Sequence, residues 1–259
     1  ARRLALGGKR RADLDSRDPE LDLDLGQPIQ QRVRPVPEGM VLDRRAQSLR
    51  HIGRHRSVIS AGDPDGQEAF GERVAACLGV PLAPLEERDY EGGEHKSRPL
   101  VSVRGRVVYV IQSLSGDEAG SANDRLCRVL FLVAALKDAG AARVTACLPY
   151  IAYSRKDRRT KERDPVNSRY IAQLLEAVGV DHVMVMDVHN VAAFENAFRC
   201  SVDLLEAAPL LADQVAEQAG GQPVSIVSPD FGGAKRAQRV QELVAARLQA
   251  GPVVRTGVI

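Results

Sequence analysis

The stretch YIAYSRKDRRTKERDP, residues 150–165, is dominated by Lys and Arg and follows a strand-like run at residues 143–149. Arg155, Lys156 and Arg163 on a loop at the end of a strand could neutralise a polyphosphate, because a guanidinium group matches two phosphate oxygens at once. A solvated basic loop explains the same composition equally well. The stretch therefore indicates an anion site only if other polar groups collect beside it.

Nucleic-acid backbone is the other polyanion that such a loop could bind. The loop offers only Tyr150 and Tyr153 for stacking bases, and the formal net charge of the 259-residue chain is only +2. A dedicated nucleic-acid-binding protein is usually more basic. The composition favours a small anionic ligand and no nucleic-acid partner, with a nucleic-acid-binding module kept as a hypothesis of a different class.

Two further polar clusters stand where predicted strands end. Asp187 and His189 alternate at one strand end, Asp230 ends another strand, and Gly232 and Gly233 precede a helix. A carboxylate with an imidazole can hold a divalent ion directly or through water, and backbone N–H groups before a helix can bind an anion. Taken alone, His189 is more often a structural histidine. Because ligands of open α/β sheets bind outside the carboxyl ends of the strands, three clusters at strand ends are stronger evidence for ligand binding than any one of them.

Apolar periodicity predicts alternating strands and helices from about residue 57 onward. Strands are expected at 58–60, 107–113, 143–148, 182–187, 224–228 and 253–259, and helices at 70–78, 126–136, 170–178, 206–219 and 234–248. Ser121 or Asn123 is the expected N-cap of the second helix, and Gly140 its end. The alternation indicates an α/β fold with parallel sheets, in which a second α/β unit starts after residue 205.

The remaining composition limits the class of protein. Residues 1–55 are rich in Arg, Asp, Pro and Gly and are predicted to be a loosely ordered charged extension. No apolar run approaches the ~20 residues of a membrane span, and the N-terminus lacks a secretion signal. The four cysteines have no CxxC spacing and stand among apolar residues, so they are expected to be reduced and mostly buried. These features predict a cytoplasmic protein without a membrane partner.

Four segments resemble, in sequence and spacing, the signature segments of ribose-phosphate pyrophosphokinases: ERDYEGGEHKSRPLVSVRG, PYIAYSRKDRRTKERDPV, MDVHNVAAF and VSPDFGGAKR. The resemblance runs from about residue 59 to residue 259. It implies two phosphoribosyltransferase-type α/β domains with parallel sheets, at 56–205 and 206–259, the second incomplete in this chain. It also implies a homo-oligomer, in the family a homohexamer built from dimers.

The resemblance implies a reaction in which diphosphate passes from Mg-ATP to the 1-hydroxyl of ribose 5-phosphate, giving phosphoribosyl pyrophosphate and AMP. The partners are then ATP and ribose 5-phosphate, with Mg²⁺ as cofactor. The positions similar to the family's ATP-binding residues are Arg155, Lys156, Asp157, Arg163, Tyr90, Gly92 and Glu94. The last three correspond to a segment that holds adenine, typically from a neighbouring subunit. His189 and Asp230 match the positions associated with Mg²⁺, and Asp157 is expected to orient the loop cations or to reach a metal-bound water.

The sequence departs from the family pattern at several positions. Lys156 stands in place of a usual Gln, and Gly92 replaces an acid or amide, which leaves the choice of base open. Members of the family continue beyond the position of Ile259 with a catalytic Lys/Arg loop and a ribose-phosphate loop. No catalytic residue is therefore expected within this chain, which alone should be weakly active or inactive. The alternative hypothesis is a non-catalytic, nucleotide-binding regulatory relative.

Overall fold

The computed structural model describes residues 56–61, 69–118, 120–248 and 254–258. A five-stranded, fully parallel sheet forms the centre of this part of the chain, in the order β1-β4-β5-β6-β7. A hairpin of two antiparallel strands, β2 and β3, and a parallel pair, β8 and β9, stand apart from it. The strands are β1 (Arg56–Ser60), β2 (Leu85–Asp89), β3 (His95–Pro99), β4 (Val107–Ile111), β5 (Arg143–Leu148), β6 (His182–Met186), β7 (Ser201–Leu205), β8 (Val224–Ser228) and β9 (Val254–Val258).

Helices connect successive strands of the central sheet and of the smaller pair. They are α1 (Ala69–Leu78), α2 (Ala122–Asp138), α3 (Asn167–Ala177), α4 (Val191–Ala197), α5 (Ala208–Ala219) and α6 (Ala234–Arg247). The predicted α/β class with a mostly parallel sheet is confirmed. Within the described residues, no helix is long and apolar enough to cross a membrane.

Both faces of the sheet are covered around the inner strand β4, which explains why β4 shows almost no apolar–polar alternation. Val110 and Ile111 are adjacent on β4 and therefore point to opposite faces. Val110 belongs to the main core with residues of α2 and α3, whereas Ile111 packs in a second cluster with Ala75 of α1. The apolar run of β4 is thus enclosed by helices on both sides.

Local signals set the ends of α2. The Ser121 side chain accepts a hydrogen bond from the backbone N–H of Asp124 (3.2 Å), and the Asp124 carboxylate accepts one from the backbone N–H of Ser121 (2.9 Å). This capping box identifies Ser121, and not Asn123, as the N-cap. After the helix, Gly140 has a φ of 83°, a left-handed conformation that glycine adopts without steric cost.

Several elements differ from those expected. The predicted strands at 107–113 and 182–187 end earlier, at Ile111 and Met186, and the hairpin, α4 and β7 were not predicted. Residues 206–248 and 254–258 contain α5, β8, α6 and β9, as expected for the start of a second unit, while the division into two domains stays a prediction. The charged extension predicted for residues 1–55 lies outside the described residues.

The predicted burial of the cysteines is wrong for half of them. All four cysteines have free thiols. Cys77 and Cys127 are exposed, whereas Cys147 and Cys200 are partly buried. On their helices, the two exposed cysteines neighbour apolar residues in sequence but face away from the core. Burial raises the pKa of the Cys147 thiol to about 12 and, together with the nearby Glu176 carboxylate, that of Cys200 to about 11.

Two thiols per chain are therefore expected to react quickly with a disulfide reagent such as DTNB at pH 8. Cys147 and Cys200 should react slowly, because a raised pKa leaves little thiolate at that pH. Stopped-flow absorbance measures the two phases, and denaturant should expose all four thiols. A C77S/C127S variant should lose the fast phase; retention of that phase would contradict the assignment.

Adjacent leucines on α3 provide a test of the core. Leu175 is fully buried, whereas Leu174 is 46% exposed. Leu175→Ala is expected to lower the free energy of unfolding by ~2–5 kcal/mol, since it removes buried methyl groups and leaves a cavity. The matched variant Leu174→Ala should cost less than ~1 kcal/mol. Urea denaturation of both variants measures the difference, and equal losses would argue against this packing.

Candidate functional site

The chain segments that follow β4 and β5 meet beside the start of α2. The backbone N–H of Leu114 donates to the carbonyl of Tyr150 (2.9 Å), so the two segments run together beyond the sheet. A pocket of about 550 Å³ opens there, and its polar lining includes Ser115, Asn123 and Tyr153. This pocket lies at the carboxyl edge of the sheet, where ligands of α/β folds bind.

The basic loop, defined as residues 150–165, leaves the sheet at this pocket. Tyr153 and Arg163 have φ values of 62° and 63°, a left-handed conformation that costs a non-glycine residue ~1–3 kcal/mol. The Tyr153 hydroxyl donates to the Asn123 side-chain oxygen at the start of α2, and the Tyr153 carbonyl accepts from the backbone N–H of Lys156 (3.2 Å). The first bond holds the beginning of the loop against α2, and the second closes a turn within the loop.

Asp164 organises the end of the basic loop. One of its carboxylate oxygens, Oδ2, accepts from Lys156 Nζ (2.6 Å), Thr160 Oγ1 (2.6 Å), Thr160 N (3.1 Å) and Lys161 N (3.1 Å). The hydrogen bond from Lys156, followed by those from Thr160, holds the pKa of the Asp164 carboxyl well below its usual range. Asp157, which was expected to orient the cations, has no hydrogen-bonding partner among the described residues.

The other cations of the loop face solvent. Arg155, Arg158, Arg159, Lys161 and Arg163 are exposed, and within the described part of the chain none of their side chains forms an ion pair. Lys156 differs from them because Asp164 neutralises it at 2.6 Å. The loop therefore presents positive charge next to the pocket at the carboxyl edge.

The end of β6 carries the second predicted cluster. Asp187 has a φ of 48°, and its two carboxylate oxygens each lie 3.4 Å from the backbone N of Ala207, which donates to them. Its own N–H donates to the carbonyl of Leu205 (3.0 Å). The carboxylate thus links the end of β6 to the residue before α5, while His189 is exposed.

The third cluster is a tight turn between β8 and α6. Asp230 Oδ1 accepts from the backbone N–H of Gly233 (2.7 Å), and Ser228 Oγ donates to the carbonyl of Asp230 (2.7 Å). The Gly233 N–H, proposed from the sequence as a donor to an anion, is therefore used within the turn. Phe231 at the tip is 89% exposed.

These residues do not form a complete metal site by themselves. Among the described residues, no three His, Cys, Asp or Glu side chains lie close enough to share a metal ion. Mg²⁺ commonly takes only one or two protein carboxylates when phosphates and waters supply its other ligands. Asp230 fits such a role, because Gly233 occupies only one of its two carboxylate oxygens.

The predicted adenine segment forms the tip of the β2–β3 hairpin. Tyr90, Gly92 and Glu94 are all exposed, and the Arg88 guanidinium lies 5.1 Å from the centre of the Tyr90 ring. Gly92 has a φ of 84°, a conformation that Asn and Asp tolerate better than other side chains. This turn geometry explains why glycine can replace the acid or amide of the family pattern.

The hairpin tip and the basic loop line different cavities. Glu94 faces a cleft of about 1240 Å³ that also contains Asp89 and Arg128, which form an ion pair between the hairpin and α2. The smaller pocket at the sheet edge contains Tyr150 and Tyr153 of the basic loop instead. The described residues of one chain therefore do not bring the two predicted ATP-binding segments into a shared pocket.

Comparison with known proteins identifies the fold. A family model described as the N-terminal domain of ribose phosphate pyrophosphokinase matches residues 63–179. Ribose-phosphate pyrophosphokinase 1 of Streptococcus pyogenes serotype M3 is 36% identical over 176 residues, which is 68% of this chain and 53% of the relative. The corresponding protein of Streptococcus pneumoniae serotype 4 is 38% identical over 177 residues, with coverages of 68% and 53%. The chain belongs to the ribose-phosphate pyrophosphokinase family.

A solved structure supports the same relationship. The crystal structure of phosphoribosylpyrophosphate synthetase from Mycobacterium smegmatis matches with a TM-score of 0.66 and 28% identity, covering 78% of this chain and 64% of that chain. The chain spans about half the length of the curated pyrophosphokinases that it matches. The family model includes the hairpin tip and the basic loop, whereas His189 and Asp230 lie after its last matched residue.

The sequence did not predict two features of this candidate site. One is the contact of Tyr153 with Asn123, which depends on the spacing between two segments separated by 30 residues. The other is the ion pair between Lys156 and Asp164. An acidic residue among cations was a visible signal, but the sequence did not distinguish Asp164 from Asp157.

The turn that presents Asp230 provides a test of its geometry. A Cβ atom at Gly233 would lie 2.4 Å from Ser228 Oγ, although its φ of −85° suits any residue. Gly233→Ala is expected to lower the free energy of unfolding by ~1–3 kcal/mol through overpacking. Urea denaturation measures the loss, and the double variant with Ser228→Ala should recover part of it because the clashing hydroxyl is gone. An unchanged free energy of unfolding in Gly233→Ala would contradict the close contact between the added Cβ and Ser228 Oγ.

Proposed function

We propose that this chain binds Mg-ATP and contributes to ribose-phosphate diphosphokinase activity. The β,γ-diphosphate of ATP would pass to the 1-hydroxyl of ribose 5-phosphate, giving phosphoribosyl pyrophosphate and AMP. The observation that carries the proposal is the basic loop, whose exposed cations stand at the carboxyl edge of the sheet without ion-pair partners among the described residues. Membership of the pyrophosphokinase family supports the reaction class.

The basic loop would bind the phosphates of ATP. The guanidinium groups of Arg155 and Arg163 can each donate two parallel hydrogen bonds to phosphate oxygens. Lys156 and Asp157 lie between them in sequence and complete the proposed ATP-binding segment. Diphosphate transfer depends mainly on positioning and on neutralising charge, so the protein need not supply a nucleophile.

The bonds that form and break in diphosphate transfer determine where negative charge develops and must be stabilised by these cations. The 1-hydroxyl oxygen of the ribose gives up its proton to water and forms a bond to the β-phosphorus, and the bond from that phosphorus to the oxygen bridging to the α-phosphate breaks. Negative charge then develops on the departing AMP. Cations fixed beforehand by the loop can stabilise this charge without reorganising, which is an efficient form of electrostatic catalysis.

Magnesium would enter with the nucleotide. Asp230 would bind the ion through its carboxylate, and His189 would contribute through a bound water, since Mg²⁺ prefers oxygen ligands and keeps several waters. When bound, the ion supplies further neutralisation of the phosphate charge. The turn that holds Asp230 by Gly233 fixes the direction in which this carboxylate is presented.

A second copy of the chain would supply the contacts to adenine. Tyr90, Gly92 and Glu94 stand exposed at the hairpin tip, away from the pocket of the basic loop. An exposed tip can reach the nucleotide of a neighbouring subunit, which agrees with the homo-oligomer implied by the family resemblance. The oligomeric state and a cytoplasmic location stay predictions.

The proposal is tested by calorimetry of Mg-ATP binding to the purified chain. Arg155→Ala is expected to weaken binding by about tenfold or more, because a hydrogen bond between charged groups contributes ~1.5–3 kcal/mol. Arg104→Ala is the matched control. This arginine is also exposed, but it precedes β4 and lies beside Gly140, at the opposite edge of the sheet.

Two further measurements separate the alternatives. Release of AMP from ATP in the presence of ribose 5-phosphate distinguishes a diphosphokinase from a relative that only binds nucleotide. Failure of the unaltered chain to bind Mg-ATP, together with binding of an oligonucleotide, would instead support the nucleic-acid hypothesis. Equal losses from Arg155→Ala and Arg104→Ala would remove the basic loop from the proposed site.

A further inference from the structure

We propose that Asp164 is a positioning residue for ATP binding, which fixes the basic loop so that Arg155 and Arg163 face the phosphates. The inference deepens the proposed function and rests on it. Asp164 itself would not touch the nucleotide. It acts through Lys156, Thr160 and the backbone between them.

The first support is the number of donors that share one oxygen. Asp164 Oδ2 receives the Lys156 ammonium and the Thr160 hydroxyl, each at 2.6 Å, and two backbone N–H groups at 3.1 Å. Lys156 Nζ also lies 3.3 Å from Thr160 Oγ1. A single carboxylate oxygen thus joins Asp164 to three positions of the loop that precede it by three, four and eight residues.

The second support is the connection of this cluster to the rest of the fold. The carbonyl of Lys156 accepts from the backbone N–H of Ser168 in the first turn of α3 (3.2 Å). The carbonyl of Asp164 accepts from Arg159 Nε (3.2 Å). The loop is therefore tied to α3 through Lys156 and closed on itself through Asp164.

The third support is the strained residue directly before Asp164. Arg163 has a φ of 63°, which a non-glycine residue adopts only when its surroundings hold it there. The hydrogen bonds of Asp164 restrain the backbone on the C-terminal side of Arg163. Without them, Arg163 would relax to an ordinary conformation, which would change the direction in which its guanidinium group is presented.

The same geometry changes the role of Lys156. Its ammonium group is neutralised by Asp164 at 2.6 Å and only 32% of its side chain is exposed. We therefore assign Lys156 to the support of the loop, with its effect on ATP binding passing through Asp164. Arg155 and Arg163 remain as the groups that bind phosphate directly.

The experiment compares Asp164→Asn with Glu162→Gln in the full chain. Both variants remove one negative charge from the same loop, but Glu162 is exposed and, within the described residues, makes no hydrogen bond. A general gain in positive charge would therefore strengthen ATP binding equally in both. Loss of positioning should instead weaken Mg-ATP binding several-fold in Asp164→Asn alone, measured by calorimetry.

A second readout does not depend on nucleotide. An arginine-specific protease should cut after Arg159 faster in Asp164→Asn than in the unaltered chain or in Glu162→Gln, because the loop is released. The residues on either side of this bond are the same in all three proteins. Mass spectrometry identifies the cut, and thermal denaturation shows that the domain stays folded.

A double-variant cycle tests the role of Lys156. If Lys156 acts through Asp164, Lys156→Met combined with Asp164→Asn should weaken ATP binding and speed cleavage no more than Asp164→Asn alone. Additive losses of affinity would mean that Lys156 binds phosphate directly, which would overturn this assignment.

The outcomes separate the two proposals. Unchanged cleavage and unchanged affinity in Asp164→Asn would overturn the positioning role while leaving the proposed function intact. An unaltered chain that does not bind Mg-ATP would overturn the proposed function and the nucleotide part of this inference together. The cleavage rates would then decide by themselves whether Asp164 holds the loop.

Discussion

All five strands of the central sheet run in the same direction, and this constraint decides where charged residues can collect. Strands β4, β5 and β6 are covered by helices or neighbouring apolar side chains on both faces, so their charged residues stand only at the strand ends. At the carboxyl edge the chain turns toward the next helix, and helix N-termini carry positive partial charge. The basic loop adds its cations to an edge that already favours anions.

The backbone itself is strained at this edge. The non-glycine residues with a left-handed conformation among those described are Tyr153, Arg163 and Asp187. Tyr153 and Asp187 closely follow β5 and β6, and Arg163 lies near the end of the basic loop. Such conformations persist only where the surrounding contacts hold them, and they cluster at functional sites. Each of the three is held by specific bonds: Tyr153 to Asn123, the residue after Arg163 to Lys156, and Asp187 to the segment before α5.

The elements that the sequence predicted well are those with strong apolar patterns. The near-continuous apolar run of β4 and the apolar face of α2 both predicted elements that are buried in the structure. The hairpin was missed because β2, LEERD, consists mostly of charged residues, and α4 was missed because seven residues hold less than two full turns of periodicity. The exposed strand β7 lies at the edge of the sheet, where burial imposes little on its composition.

Side-chain roles were harder to predict than elements. Cys127 follows the buried Leu126 in sequence, but one helical step of 100° turns it toward the cleft. The strand ends correctly marked where the basic loop, Asp187 and Asp230 would lie. The hydrogen-bonding partners of these residues depend on backbone conformations that composition does not reveal. The left-handed conformation of Arg163, directly before Asp164, is one of them.

The pairing of Lys156 with Asp164 also affects how the loop responds to salt. The loop contains six Lys and Arg residues, and one of them already has a counter-ion supplied by the protein. When a long polyanion binds, its affinity depends on salt in proportion to the number of phosphates that protein cations neutralise. A lysine that is neutralised internally adds nothing to that number. The loop is thereby less suited to hold an extended phosphate backbone than its composition suggests, while its free arginines remain available to a compact polyphosphate.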